Sequence, residues 1–192
     1  ALVDAQAGSA RGFGAAARLG LLPTLDSGLG IAWFDSDGIE AGYEFLFDLK
    51  FAPGRADGWR PRPFLRSDFA ALSVSDRTEA SFAGLCGGLT WEHAGSTVTM
   101  ETCWAEPLES KVTMASAWSI GAGALVPVHR EATAAVEYRR GAWGDWSADL
   151  ARVGVLTGFG RGTLSLGAEL PIENARFERL VALLGWTAEF GG

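Results

Sequence analysis

The chain carries 192 residues, which suits one domain with a sizeable hydrophobic core. With 48% hydrophobic and 20% charged residues it is too apolar to be disordered, and a formal net charge of −7 argues against a nucleic-acid partner, because phosphate binding needs a basic surface. No run of 18 or more apolar residues is present, which excludes a spanning helix but not a spanning barrel, whose signal is alternation.

The chain opens on Ala1, with neither a methionine nor a charged segment leading into an apolar one, and reads as a processed form whose residues 1–12 are a flexible segment. Strand signals of period two then follow almost continuously. Residues 13–21 form the first. Leu29, Ile31 and Trp33 mark the second, which turns through residues 35–38 into a third bearing Ile39, Ala41, Tyr43, Phe45, Phe47 and Leu49 on one face. Glu40, Glu44 and Asp48 lie on the other face of that strand. Residues 52–63, with prolines at 53, 61 and 63, read as a long connection that no strand crosses unbroken. Leu65, Ser67, Phe69 and Ala71 then alternate with Arg66 and Asp68.

The clearest pattern is Ala83, Leu85, Gly87, Leu89, Trp91, resumed after residues 93–96 by Val98, Met100, Thr102 and Trp104. A hairpin centred on Ala94-Gly95 sets Trp91 opposite Val98, Leu89 opposite Met100 and Leu85 opposite Trp104, all on one face. The same register sets Cys86 opposite Cys103 on the other face. Apolar pattern and cysteines thus select one register independently.

Residues 112–124 read as a long strand, followed by Ala132, Ala134, Val136 and Tyr138 alternating with Glu137 and Arg139. A less regular strand covers 146–156. Leu164, Leu166, Ala168 and Leu170 alternate with Ser165 and Glu169, and the last strand runs from Leu180 to Phe190. This makes about eleven strands joined mostly by short turns, with no helix and no second domain. The fold expected is all-β: a single antiparallel up-and-down β-barrel of about 10–12 strands over residues 1–192. Single-chain membrane barrels use even strand numbers, so one strand is miscounted, in the first 35 residues or near 148–155.

Alternation supplies an apolar face without saying whether it meets lipid or a core. Three features favour lipid. Trp33, Trp91, Trp104, Tyr138, Trp146 and Phe190 gather near strand ends, as in an aromatic girdle. Arg66, Asp68, Glu101, Glu137, Arg139 and Glu169 mix both signs on the opposite face, as in a polar lumen. Several apolar-face positions are small, among them Ala41, Ala71, Ala83 and Ala134, which suits lipid contact better than a dense core.

The ending Leu-Val-Ala-Leu-Leu-Gly-Trp-Thr-Ala-Glu-Phe (180–190) resembles the C-terminal strand of bacterial outer-membrane β-barrel proteins, which closes on an aromatic and is read by the barrel assembly machinery. Gly88-Leu-Thr-Trp-Glu92 and Gly42-Tyr-Glu-Phe45 are similar to strand endings of such proteins, including autotransporter translocator barrels. Gly191 and Gly192 follow the final aromatic, where that family usually stops, and the loops are uncommonly short. The resemblance implies an outer-membrane location, lipid as partner, other envelope proteins as candidate partners in an assembly, and a non-enzymatic role as structural element, narrow pore or translocator-like anchor. The alternative is a soluble periplasmic or secreted barrel of lipocalin type, binding a small apolar ligand on its aromatic face.

Groups able to do chemistry are few. Cys86 and Cys103, opposed across adjacent strands, are within disulfide reach, the other reading being two reduced thiols. His93 and His129 fall in separate turns, and two histidines with two cysteines make a poor zinc set, so neither a metal site nor a cofactor is expected. A Ser/His/acid site can be imagined at Glu92, His93 and Ser96, but a turn histidine is more often just exposed. Glycine-rich pieces at 121–124 and 158–162 lack a phosphate-binding frame and suit strands instead. The Glu44/Asp48 pair suits a charged lumen or a solvated surface.

Overall fold

A computed structural model describes residues 2–3, 10–36, 39–54, 58–74, 77–110, 115–143, 146–159, 162–173 and 181–188. These form twelve strands: β1 (Leu2–Val3), β2 (Ala10–Leu22), β3 (Leu25–Ser36), β4 (Ile39–Phe51), β5 (Gly58–Val74), β6 (Arg77–His93), β7 (Ser96–Ser110), β8 (Ala117–His129), β9 (Ala132–Trp143), β10 (Trp146–Phe159), β11 (Gly162–Glu173) and β12 (Val181–Ala188). They make one antiparallel sheet in up-and-down order from β2 to β12. β1 pairs with β12, Leu2 opposite Gly185 and Val3 opposite Leu184, and also comes within 8 Å of β2 between Cα atoms. Among the described residues no ladder joins the outer edge of β2 to another strand. The strand missing from the sequence count is β1, inside the segment expected to be flexible.

Several strands run past their expected ends, and two starts differ in ways that bear on the fold, the larger of them explained by proline. β5 begins at Gly58, inside the stretch expected to be a connection, with a bulge between Gly58 and Arg62. A proline lacks only its own N–H, so it harms a strand only where that N–H would have had a partner. β5 pairs with β6 from Gly58 onwards but with β4 only from Leu65, so Pro61 and Pro63 sit where one neighbour is missing. Pro107, Pro127 and Pro171 follow the same rule: the β7–β8 ladder stops at Ala105, β8 pairs with β7 only up to Leu125, and the β11–β12 ladder stops at Glu169. The second difference is β8, which starts at Ala117 rather than 112; residues 112–114 lie outside the described part.

The β6–β7 hairpin has the register that the sequence requires: His93 opposite Ser96, Trp91 opposite Val98, Leu85 opposite Trp104 and Cys86 opposite Cys103. Its two-residue turn holds Ala94 at φ 50° and Gly95 at φ 81°, both left-handed, as a type I′ turn demands. Counting back from the hydrogen-bonded pair at the turn, Cys86 and Cys103 fall at a non-hydrogen-bonded position, where strands approach most closely. Their Cα atoms are 4.0 Å apart and the two sulfurs are bonded.

The two faces differ in exposure. Leu85 is 53% exposed, Trp104 51% and Met100 54%, and large apolar residues of β3 to β11 share that condition, from Ile31 and Phe45 to Val155 and Leu166. The buried residues instead lie mainly on β5 and β6, among them Phe64, Ala80 and Cys86. The apolar run also crosses the ladder rows obliquely. On β4 it is centred near Leu46, whose row continues through Ala70 and Phe82 to Pro107 of β7. On β11 it is centred near Gly167, whose row continues through Gly154, Ala135 and Leu125 to Thr97 of β7. The band therefore drifts about 1.4 residues per strand. At ~3.3 Å per residue and ~4.8 Å between strands, a level band corresponds to strands inclined by about 45°.

Candidate functional site

The polar face is organised by three ladder rows. One holds Lys50, Arg66, Cys86, Cys103 and Ser119. The next holds Phe64, Gly88, Glu101, Gly121 and Arg139. A third holds Gly123, Glu137, Arg152 and Glu169. Because side chains two residues apart point the same way, the charges of these rows meet across strands.

They form a chain of alternating sign from β5 to β11. Arg66 Nε donates to Asp68 Oδ1 at 2.8 Å, and its Nη1 lies 3.5 Å from Glu101 Oε2. Arg139 Nη2 donates to Glu101 Oε1 at 2.6 Å and lies 3.3 Å from Glu137 Oε1. Arg152 Nη1 is 3.6 Å from Glu137 Oε2, and its Nε donates to Glu169 Oε2 at 2.5 Å. All six polar residues singled out in the sequence belong to this chain. Arg152 was missed, because the strand carrying it reads irregularly. The Glu101–Arg139 bridge passes over β8 at Gly121, where a Cβ would stand 3.7 Å from Glu101 Cγ and 3.8 Å from Arg139 Nε. That Nε is buried without a hydrogen-bond partner.

The disulfide lies beneath this chain. Arg66 Nη2 is 3.3 Å from Cys86 Sγ and 3.9 Å from Cys103 Sγ. Asp68 Oδ2 is 3.1 Å from Cys86 Sγ, a contact rather than a hydrogen bond, because a bonded sulfur carries no proton. Phe64, only 6% exposed, covers Gly88, and Lys50 Nζ sits 4.4 Å above the Phe64 ring. This plug also escaped sequence reasoning: residue 64 follows the stretch taken for a loop, so its face was unassigned. Each carboxylate of the chain meets a guanidinium, an arrangement suited to bracing strands rather than to poised proton transfer.

Of the aromatic candidates, Trp33, Trp91, Trp104 and Tyr138 lie on the other face. Trp33 pairs with Tyr43, Trp91 with Val98, and Trp104 with Trp118. Trp104 Nε1 and Ser116 Oγ each donate to Glu106 at 2.6 Å, beyond the apolar run of β7. Tyr138 is followed on its face by Arg140, and its hydroxyl donates to Asp149 Oδ2 at 3.1 Å, with Arg140 Nε 3.7 Å from the other oxygen. Trp146 pairs with Trp143 through the backbone, and Phe190 lies outside the described residues. His93 and His129 end β6 and β8, both exposed. Glu131 N donates to His129 Nδ1 at 3.4 Å. Among the described residues no group of three or more His, Cys, Asp or Glu is arranged to hold a metal ion. No protein-family model matches the chain, and no curated protein matches it in sequence.

Proposed function

We propose that this sheet closes through β1 into a twelve-stranded barrel that sits in a bacterial outer membrane and acts there without catalysis, as a structural element, narrow pore or anchor. The observation that carries this reading is the oblique apolar band. Strands of membrane barrels tilt by roughly 35–45°, and only at such a tilt does the band run level around the molecule. β2 to β11 have 12 to 17 residues each, more than the ~9–11 a tilted strand needs to cross. The soluble ligand-binding alternative asks the aromatic face to line an enclosed cavity, whereas that face is the exposed one.

The tight turns at 23–24, 94–95 and 130–131 lie at one end of the sheet. Because Ala188 pairs with Gly162, β12 runs towards that same end, and β1, antiparallel to it, starts there. Short turns face the periplasm in barrels of this kind. The shared position of these turns with the start of β1 and the end of β12 supports a periplasmic side here, with the longer β4–β5 connection lying at the same end. The chain, expressed with an export signal, is expected to float with outer membranes and to migrate differently on a gel before and after heating in detergent. Recovery as a soluble protein without detergent rules the proposal out.

A further inference from the structure

We infer that the interior is divided lengthwise, with one half closed by side chains and an off-axis path for small hydrated cations and uncharged solutes along β8 to β11; this rests on the membrane-barrel reading. On β4 to β7 the polar face is filled. Phe64 covers Gly88, Lys50 covers Phe64, and Arg66 lies on the disulfide with Asp68 beside it. Cys86 there is only 1% exposed. From β7 to β11 the same face opens into a cavity of about 510 Å³, whose wall includes Thr99, Gly121, Gly123, Ala135, Gly154 and Gly167.

The glycines of that wall are bare for two different reasons. A Cβ on Gly154 would lie 2.8 Å from the Leu166 carbonyl oxygen, and one on Gly167 2.9 Å from that of Val153, so the backbone forbids side chains there. At Gly121 and Gly123 the nearest atoms would stand at 3.5 Å, an ordinary contact. A Cβ fits at both, but the Glu101–Arg139 bridge stands over Gly121, so it is at Gly123 that the sequence leaves space a side chain could fill. Sterics thus account for the bare wall at Gly154 and Gly167 and not at Gly123. The charged groups on this side are Glu101, Glu137 and Glu169 against Arg139 and Arg152, three acids to two bases, and this excess of one acid favours cations over anions.

The test is conductance in planar bilayers bathed in potassium chloride, with vesicle flotation and heat-modifiable migration recorded on the same preparations. The unaltered protein is expected to give discrete steps with a reversal potential favouring potassium. Gly123→Leu, which fills the path, is expected to lower the unit conductance several-fold. Ala135→Leu is a second filler if the first variant does not fold. Gly84→Ala, on the filled side where a Cβ would stand 3.4 Å from the Trp104 carbonyl oxygen and 3.6 Å from Asp68 Cβ, is expected to leave conductance unchanged. Equal losses in Gly84→Ala and the fillers overturn the off-axis placement, and chloride preference overturns the assigned cargo. A protein that floats and is heat-modifiable yet adds no conductance overturns the path while the membrane reading stands. One that does neither removes both.

Discussion

Gly88 is the position where the absence of a side chain matters most for packing. A Cβ there would collide with the carbonyl oxygen of Met100 and with the Phe64 ring, and the carbonyl belongs to the neighbouring strand and cannot swing away. Gly88→Ala is therefore expected to lower stability by about 2–3 kcal/mol, mostly through displaced strand pairing and an ejected Phe64 ring. Urea unfolding from lipid vesicles measures this, and a shift under ~0.5 kcal/mol contradicts the close approach. The disulfide acts mainly on the unfolded chain instead. It closes a loop between residues 17 apart, so the Cys86→Ser/Cys103→Ser double variant is expected to lose about 3 kcal/mol in the same assay. With Cys86 1% exposed and Arg66 lying against both sulfurs, a reductant added to the folded protein is expected to release thiol more slowly than after unfolding.

Between strands the stabilising unit is the alternating charge chain, and Glu101 is its junction, holding Arg66 on one side and Arg139 on the other. Glu101→Gln leaves two guanidinium groups short of a partner. The expected cost is about 1–3 kcal/mol, moderated because both arginines are partly exposed. Glu101→Gln combined with Arg139→Gln is expected to cost less than the sum of the single changes, since the second removes a charge that the first has already stranded; strict additivity in a double-mutant cycle contradicts the coupling. How far such elements are legible from sequence depends on whether independent signals agree. The β6–β7 hairpin is legible because alternation and the cysteine positions demand one register. The start of β5 is not, because proline marks a strand edge as readily as a loop, and the missing β4 neighbour appears only in three dimensions. β10 reads poorly because its pairing with β11 shifts between Asp149 and Leu150, and because Asp149 sits among outward residues, satisfied by Tyr138 and Arg140. Arg152 was lost with that strand. The face of each charge was readable from parity, but which charges meet depends on the ladder registers.

For the whole molecule, the tilt of the apolar band separates a membrane barrel from a sheet that merely exposes apolar residues. Charge placed on the lipid face of a barrel costs about 2–4 kcal/mol at the bilayer midplane and about 0–1 near the interfaces. Met100 lies near the centre of the band on β7. Its ladder row leads through Ala122, Tyr138 and Ala151 to Leu170 on β11. With upright strands, Leu170 and its near neighbour Ile172 would share the depth of Met100, and Leu166 would lie farther from the midplane. With strands inclined by about 45°, the midplane on β11 falls instead near Gly167, close to Leu166, and Ile172 moves out to the interface. Both test residues are exposed, at 52% for Leu166 and 59% for Ile172, so neither change disturbs a core. Leu166→Arg is therefore expected to cost as much as Met100→Arg, about 2–4 kcal/mol, and Ile172→Arg no more than about 1 kcal/mol, in reversible folding into lipid vesicles. The opposite ranking indicates upright strands, and uniformly small costs indicate a face that never meets lipid. The ranking, more than any one value, reads the band against the membrane, because all three positions lie on the same face and differ only in depth.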